Sequence, residues 1–358
     1  MSHALQLARR GMYTTDPNPR VGCVLVNGQE IIAAGWHQVA GGPHAEINAL
    51  HQAADKARSA DCYVTLEPCV HTGKTPPCTD AIIKAGIKRV IAATVDPNPA
   101  VSGKGLEQLQ AAGIKTETGL MQSQSRELNP GFETRMKKGR PYVRCKLAMS
   151  LDGRTAMETN DENQWISGES SRLDVQRLRA RSSAIMTGIN TVLADDPSLN
   201  VRDINTGERQ PIRVILDAKL RMPTDARLLG LPGETMIFTE SDDMEKQEKL
   251  KTAGAQVVSL KCSGKQEFLK SVMRFLASEK EINEILLESG AILAGSMLEA
   301  NLIDEIIVYV APVLMGHDAR SLFQLPAIRT MADRLELVFS DIRMVGDDCR
   351  ITAKISSQ

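Results

Sequence analysis

Short runs of apolar residues alternate along the chain with segments whose apolar positions recur at helical spacing. Val21–Val26 and Ile31–Gly35 predict two strands, and Asn27-Gly28 between them is a dipeptide typical of tight hairpins. Residues 45–57 follow helical spacing, and residues 62–66 predict a short buried strand. The chain therefore opens with strands and a helix together rather than with one class of element.

This alternation continues to residue 117 and resumes beyond a polar segment. Before that segment it predicts helices at 79–85 and 105–112, each followed by glycine, and strands at 89–94 and 114–117. Beyond the segment, strands are predicted at residues 142–147, 184–187, 212–216, 235–238, 257–260, 284–287 and 306–310, with a terminal hairpin of 337–342 and 349–355. Helices between strands imply crossover connections, so the predicted fold class is α/β with a partly parallel sheet.

The polar segment Met136–Pro141, which contains Gly and Pro, predicts a domain boundary. A chain of 358 residues also exceeds what a single hydrophobic core usually serves. We therefore expect two domains, residues 1–139 and 140–358.

Charge and hydropathy narrow the classes of partner. The formal net charge is −1, so the chain as a whole does not attract nucleic acid electrostatically. No stretch approaches the roughly 20 apolar residues that span a bilayer. The first ten residues place their charges after the apolar positions, the reverse of a signal peptide. We expect a cytoplasmic homo-oligomer that acts on a small molecule, with neither nucleic acid nor membrane as partner.

The seven cysteines, odd in number and irregularly spaced, argue against a disulfide framework and for metal binding where they cluster. Cys69 follows Pro68 at the end of a predicted strand, Cys78 comes after eight intervening residues, and His44 opens a helix. One imidazole and two thiolates supply three ligands for tetrahedral zinc and leave the fourth position to water, as in catalytic sites. The sequence therefore predicts one Zn²⁺ per chain.

Glu46, two residues after His44, is the predicted proton carrier. A carboxyl group beside an activated water can take its proton and deliver it to ring nitrogen and leaving ammonia. Residues i and i+2 lie about 200° apart on an ideal helix. Both side chains can therefore face one pocket only if the site wraps around the first helical turn. His-x-Glu with Pro-Cys-x-x-Cys is the signature of zinc deaminases, whereas this chain has eight residues between its cysteines.

Three segments of the first domain resemble the bifunctional deaminase/reductase family of riboflavin biosynthesis. They are Asp16-Pro-Asn-Pro-Arg-Val-Gly-Cys23, Gly-Gly-Pro-His-Ala-Glu46 and Thr65-Leu-Glu-Pro-Cys-Val-His-Thr-Gly-Lys-Thr-Pro-Pro-Cys78. The eight-residue spacer is characteristic of that family. The resemblance implies a cytidine-deaminase-like three-layer domain and a diaminopyrimidinone substrate that carries a phosphoribosylamino group. Asn18, His71 and Lys74 are the predicted contacts to that substrate, although Asn18 also suits a turn and the basic pair a solvated loop.

The second domain carries Lys146-Leu-Ala-Met-Ser-Leu-Asp-Gly153, Gln164-Trp165-Ile-Ser167 and Glu288-Ser-Gly-Ala-Ile-Leu-Ala-Gly295. The last segment ends a predicted strand and opens a helix, where backbone N–H groups can bind phosphate. Together these segments resemble the reductase half of the same family, whose fold is like dihydrofolate reductase. The resemblance implies NADPH as hydride donor and reduction of the ribosyl ring to a ribityl chain.

The residues implied by the resemblance form two sets. The cofactor set is Ala148, Trp165, Thr191, Asp195, Ala218, Gly290, Ala291, Ile292, Leu293, Ala294, Gly295 and Ser296. The substrate set is Asn163, Arg179, Leu199, Arg202 and Glu288. The two arginines suit the substrate phosphate because guanidinium groups bind phosphate in bidentate fashion, although Arg179 also fits a solvated helix face.

Two other functions remain open at the level of the residues. A nucleic-acid-editing zinc deaminase with a non-catalytic C-terminal module is disfavoured by the neutral net charge and the 3% aromatic content. A binding protein with a structural zinc is disfavoured because structural sites usually have four protein ligands, whereas three are evident here.

Overall fold

The computed structural model describes residues 1–70, 76–157 and 165–356. The chain divides between Arg140 and Pro141 into an N-terminal unit, Met1–Arg140, and a C-terminal unit, Pro141–Gln358. The substrate contacts predicted at His71, Lys74 and Asn163 lie outside the described residues.

The N-terminal unit is built on a five-stranded sheet of order β2-β1-β3-β4-β5. Its strands are β1 (Gly22–Asn27), β2 (Glu30–Trp36), β3 (Asp61–Val64), β4 (Arg89–Ala92) and β5 (Lys115–Thr118). The first three strands pair antiparallel, and β3, β4 and β5 pair parallel. The carboxyl ends of the parallel strands therefore lie along one edge of the sheet.

Helices cover both faces of this sheet. They are α1 (Ser2–Arg9), α2 (Ala45–Ala53), α3 (Cys78–Ala85), α4 (Lys104–Ala111), α5 (Gln122–Leu128) and α6 (Pro130–Lys138). Cys23 and Leu25 of β1 pack in one cluster with Ala49 of α2, whereas Val24 packs with Leu7 of α1 in another. Because alternate residues of a strand face opposite sides, β1 is buried on both faces and the unit has three layers.

The C-terminal unit contains a nine-stranded sheet of order β11-β10-β9-β8-β12-β6-β13-β16-β15 and a two-stranded ribbon, β14-β7. Its strands are β6 (Tyr142–Ser150), β7 (Arg154–Ala156), β8 (Ala184–Gly188), β9 (Ile212–Leu216), β10 (Thr235–Thr239), β11 (Ala255–Ser259), β12 (Glu284–Glu288), β13 (Glu305–Ala311), β14 (Arg320–Ser321), β15 (Leu337–Val345) and β16 (Asp348–Ile355). From β11 to β13 the neighbours are parallel, and β16 and β15 are antiparallel. The predicted α/β class is confirmed.

In the described part of this unit, five helices connect the strands: α7 (Glu169–Arg181), α8 (Ile189–Asp195), α9 (Met244–Thr252), α10 (Lys265–Ser278) and α11 (Ala291–Glu299). The largest core cluster joins the sheet to α10 and α11, with Val272 and Met297 among its fully buried members. Within the sheet Arg144 of β6 is buried between Glu284 and Glu305 and forms ion pairs with both. A buried cation of this kind is tolerated because its charge is paired.

The element boundaries differ from the predicted ones in two informative places. The helix predicted over 45–57 ends at Ala53, because Ala54 has φ 46° and a 3-10 turn, Ala54–Ala57, follows. The predicted boundary segment 136–141 begins inside α6, which ends at Gly139 in a left-handed conformation. Among the described residues, no helix has the length and apolarity required to cross a membrane.

Candidate metal centre and cofactor site

His44 and Glu46 reach the same pocket because only one of them is helical. His44 is the N-cap of α2, with an extended backbone at φ −70° and ψ 164°, and Glu46 lies in the first turn. The Glu46 side chain is buried, 4% exposed, and hydrogen-bonds the Cys78 thiol. The angular separation expected of two helical residues therefore does not apply, and the site does wrap around the start of the helix.

The two cysteines join His44 from separate elements. Cys69 follows β3 across the Glu67-Pro68 segment, and Cys78 is the first residue of α3. His44 Nδ1 lies 3.2 Å from Cys78 Sγ and 3.6 Å from Cys69 Sγ. All three ligand atoms lie within 4.8 Å of one another. Zn–N and Zn–S bonds of about 2.0 and 2.3 Å at tetrahedral angles separate N and S ligands by about 3.5 Å, so the triad fits zinc.

The electrostatics of the triad suit both metal binding and proton transfer. Hydrogen bonding from Cys78, with a further contribution from His44, lowers the pKa of the Cys69 thiol to about 4. A thiolate is therefore available at neutral pH. Burial raises the pKa of Glu46 to about 7, against the opposing effect of His44. A carboxyl group with such a pKa can both accept and release a proton near neutrality.

Asn18, which is predicted to contact the ligand, is connected to the metal-binding triad by His37, which lies between Asn18 and His44. Asn18 Nδ2 is 3.2 Å from His37 Nε2, and His37 Nδ1 is 3.0 Å from the carbonyl oxygen of Pro43. The His37 ring packs edge-on against His44, with centroids 5.5 Å apart. His37, which the sequence analysis does not single out, thus links Asn18 to the metal-binding segment.

A second site is indicated where β6, β8, β9 and β12 end. Gly290 caps α11 directly after β12, and a Cβ built there meets nothing within 4 Å. Thr187 Oγ1 at the end of β8 and Ser289 Oγ after β12 are buried, and neither finds a hydrogen-bond partner among the described residues. Ligands of parallel α/β sheets bind beyond the carboxyl ends of the strands, and a helix N-terminus favours phosphate. These polar groups therefore fit the phosphate-bearing cofactor predicted from the sequence.

Arg179 and Glu288, both predicted substrate contacts, bind each other. Arg179 Nε and Nη2 donate to the two carboxylate oxygens of Glu288 at 2.7 and 2.8 Å, and Nη1 donates to the carbonyl oxygen of Asn200 at 3.0 Å. Both side chains are mostly buried, so Arg179 does not lie on a solvated helix face. Arg202, by contrast, is exposed and held by a hydrogen bond from its backbone N–H to Gln176. All three guanidinium nitrogens of Arg179 thus bond within the protein, and the phosphate contacts predicted for Arg179 and Arg202 stay predictions.

The remaining predicted cofactor and substrate residues lie in varied surroundings. Trp165 is 71% exposed, with the Arg172 guanidinium 5.3 Å from its ring. Leu199 is buried, with φ 43°. Ala148 lies on β6, Thr191 and Asp195 on α8, and Ala218 just after β9. Their roles stay predictions.

The segment predicted to follow Gly290 as a cofactor loop forms the first six of the nine residues of α11. Ala291 and Ile292 lie in its first turn, where backbone N–H groups lack helical partners. Leu293 and Ser296 are partly buried, and Ala294 is fully buried. A Cβ at Gly295 would lie 2.0 Å from the carbonyl oxygen of Gln324. Gly295 is thus required for helix packing, whereas Gly290 is open to a ligand.

Comparison with known proteins gives matches over both units. The family described as "RibD C-terminal domain" matches residues 141–350, and "Cytidine and deoxycytidylate deaminase zinc-binding region" matches residues 1–94. The riboflavin biosynthesis protein RibD of Escherichia coli K12 is 47% identical over 97% of this chain and 96% of its own. RibD of Haemophilus influenzae is 45% identical over 98% of this chain and 95% of its own.

Solved structures match over the same span. Acinetobacter baumannii RibD superposes with a TM-score of 0.92 at 43% identity, covering 99% of this chain and 98% of its own. A Thermotoga maritima protein described as diaminohydroxyphosphoribosylaminopyrimidine deaminase/5-amino-6-(5-phosphoribosylamino)uracil reductase has a TM-score of 0.86 at 33% identity, covering 99% and 97%.

Proposed function

The chain belongs to the RibD family of bifunctional deaminase/reductases of riboflavin biosynthesis, and from that premise we propose which residues carry each reaction and on which substrates. The enzyme is both a hydrolase and an oxidoreductase, with Zn²⁺ and NADPH as cofactors. Its predicted fold class, a cytidine-deaminase-like domain followed by a dihydrofolate-reductase-like domain, is confirmed.

The N-terminal unit, in this proposal, hydrolyses the amino group of 2,5-diamino-6-(5-phosphoribosylamino)pyrimidin-4-one. The observation that supports it best is the convergence of His44, Cys69 and Cys78 beside the buried carboxyl of Glu46. Bound zinc supplies Lewis-acid activation of water. Glu46 takes the proton of the attacking water and delivers it to the ring nitrogen and the departing ammonia.

The C-terminal unit reduces the ribosyl group of the deaminated product to ribityl. NADPH supplies the hydride, and the protein positions it. The first turn of α11, from Gly290, binds cofactor phosphate through backbone N–H groups. Arg202 binds the substrate phosphate, while Arg179 holds the Glu288 carboxylate towards the substrate.

One assay tests both halves together. NADPH consumption is followed with the diaminopyrimidinone phosphate as substrate, before and after the zinc is removed by a chelator. We expect chelation to stop NADPH consumption from this substrate and to leave reduction of the already deaminated compound intact. Undiminished consumption after complete zinc removal would refute the zinc-dependent first step.

Gly290→Val tests the cofactor site. We expect the NADPH dissociation constant to rise at least about tenfold, because the added side chain blocks the approach of a phosphate to the helix start. The variant is expected to fold, since a Cβ at Gly290 projects into open space. Fluorescence titration of NADPH measures the effect, with Gly230→Val, at another open glycine, as the control. Equal NADPH affinity in wild type and Gly290→Val would show that the cofactor binds elsewhere.

We also propose that the chain is a homo-oligomer formed through the edge strand β15. This strand lies at the end of the nine-stranded sheet and exposes large apolar side chains. Its most exposed ones are Val338, Phe339, Ile342 and Met344, at 58, 63, 57 and 63%. A long apolar edge strand is a template for pairing with another chain, and a second copy supplies the same strand.

Phe339→Lys with Ile342→Lys is expected to convert the oligomer into monomers, since each copy would place two buried charges in the shared face. Light scattering coupled to size-exclusion chromatography measures the mass. Met244→Lys, at a residue 62% exposed on α9, is the control and should leave the oligomer intact. A wild-type monomer, or a doubly substituted oligomer, would exclude β15 as the interface.

The substrates proposed are small pyrimidine ribosyl phosphates, and we propose the cytoplasm as the location. All seven cysteines are free of disulfides, and two of them serve as metal ligands in this proposal. A reducing compartment keeps such thiols available. The net charge of −1 gives no general attraction to nucleic acid.

A further inference from the structure

Glu67, which the sequence analysis does not single out, occupies an unusual position two residues before Cys69. Its side chain is buried, 3% exposed. Oε2 accepts hydrogen bonds from the backbone N–H groups of Asp96 and Gly103 at 3.0 and 2.9 Å. Oε1 accepts from Gly105 at 2.8 Å and Leu106 at 3.4 Å. Four backbone donors therefore surround one carboxylate.

Three of these donors, at Gly103, Gly105 and Leu106, lie at the start of α4, so Glu67 acts as the cap of a helix remote in sequence. The N-cap residue of α4 is Gly103, at φ 89°, which has no side chain to accept these bonds. A carboxylate at this position satisfies the unpaired N–H groups and interacts favourably with the helix dipole. At Gly105 a Cβ would lie 2.2 Å from the carbonyl oxygen of Pro68. The helix start thus packs directly on the backbone that leads into Cys69.

The same helix also contacts the residues that directly follow the other cysteine, Cys78, through the side chain of Gln108. Gln108 Oε1 accepts from the Thr79 hydroxyl at 2.9 Å, and Gln108 Nε2 donates to Asp80 Oδ1 at 2.9 Å. Thr79 follows Cys78 directly, and its backbone N–H donates to the carbonyl oxygen of Cys69 at 3.3 Å. The Cys78 N–H is 3.4 Å from Cys69 Sγ. Cys69 and Cys78 are therefore joined both to each other and, through separate contacts, to α4.

We propose that Glu67 and Gln108 are positioning residues of the metal centre, which hold Cys69 and Cys78 at the spacing zinc requires by clamping both to α4. The inference rests on the proposed zinc site. Groups behind the ligands of a metal typically change its affinity by about 10- to 100-fold when they are replaced. Neither residue touches the metal, so their effect is on the geometry and retention of the ion.

Glu67→Gln removes the charge and turns an amide NH₂ towards backbone donors. Glu107→Gln is the matched control, because Glu107 is an exposed residue of the same helix. We expect zinc to transfer from Glu67→Gln to a chromogenic chelator at least about tenfold faster than from wild type, and the control to match wild type. In the Co²⁺-substituted proteins, we expect the ligand-field and thiolate charge-transfer bands to change in Glu67→Gln alone.

Gln108→Ala is an independent test of the proposal, because it removes the hydrogen bond to Thr79 without leaving a buried charge. It too should release zinc faster, and it decides the question if Glu67→Gln does not fold. A lower melting temperature with unchanged zinc release and an unchanged Co²⁺ spectrum would make Glu67 a helix cap alone and overturn the proposal. A wild-type protein without zinc would instead refute the proposed metal centre itself.

Discussion

Glu46→Gln is expected to lower the rate of deamination by about 10²- to 10⁴-fold, the usual contribution of a general acid–base. Glutamine has nearly the same shape, so the buried site should stay packed, but its amide cannot accept and return a proton. Glu46 is not one of the three grouped ligands, His44, Cys69 and Cys78. The variant should therefore retain zinc.

Ammonia release from the diaminopyrimidinone phosphate measures this effect, and metal analysis confirms the zinc content. Glu127→Gln, at an exposed residue of α5, is the control. Reduction of the already deaminated compound should proceed at the wild-type rate in both variants, because that reaction is assigned to the C-terminal unit. Near-normal deamination in Glu46→Gln would assign proton transfer to another residue.

Cys69→Ala and Cys78→Ser are each expected to lose most of the bound zinc and, with it, deamination. A catalytic site has three protein ligands and one position for water, so no further protein ligand can replace one that is lost. The wild type should contain about one zinc per chain.

Metal analysis of the purified proteins decides this prediction. Cys262→Ser is the control for the chemical change, because Cys262 lies in the C-terminal unit and is partly buried. It should keep the wild-type zinc content. Full zinc occupancy in Cys69→Ala or Cys78→Ser would show that the ion is held by another set of ligands. NADPH-dependent reduction should persist in both variants.

The metal ligands could be predicted from the sequence because their residue types and spacing are tied to local elements. His44 precedes a helix, Cys69 follows a strand and Cys78 begins a helix, so the chemistry could be inferred before the fold. The apparent conflict between His44 and Glu46 came from treating both as helical. The N-cap conformation of His44, which residue pattern alone does not specify, removes it.

Other features depend on contacts between residues far apart in the chain. The Arg179–Glu288 pair joins residues 109 positions apart, and it changes the role expected of Arg179. Gly295 lies in a glycine-containing segment of the kind that binds phosphate, but the close approach of the Gln324 backbone shows that this glycine serves helix packing. The four donors to Glu67 likewise come from a segment about 30 to 40 residues downstream. The pattern of residue types along the chain does not predict such contacts between distant residues.

The strand order of the C-terminal unit has a consequence for biosynthesis. Its first strand, β6, lies between β12 and β13, whose residues begin at 284 and 305. A chain emerging from the ribosome therefore holds an apolar strand without either neighbour while residues 151–283 are made. The N-terminal unit meets no such delay, because its five strands all lie within the first 118 residues. Domains generally fold as they are completed, and unpaired strand edges are prone to aggregate. The deaminase unit can thus fold while the reductase unit is still being made, whereas the reductase unit depends on β12 and β13, which are made long after β6, and is the part more in need of chaperones.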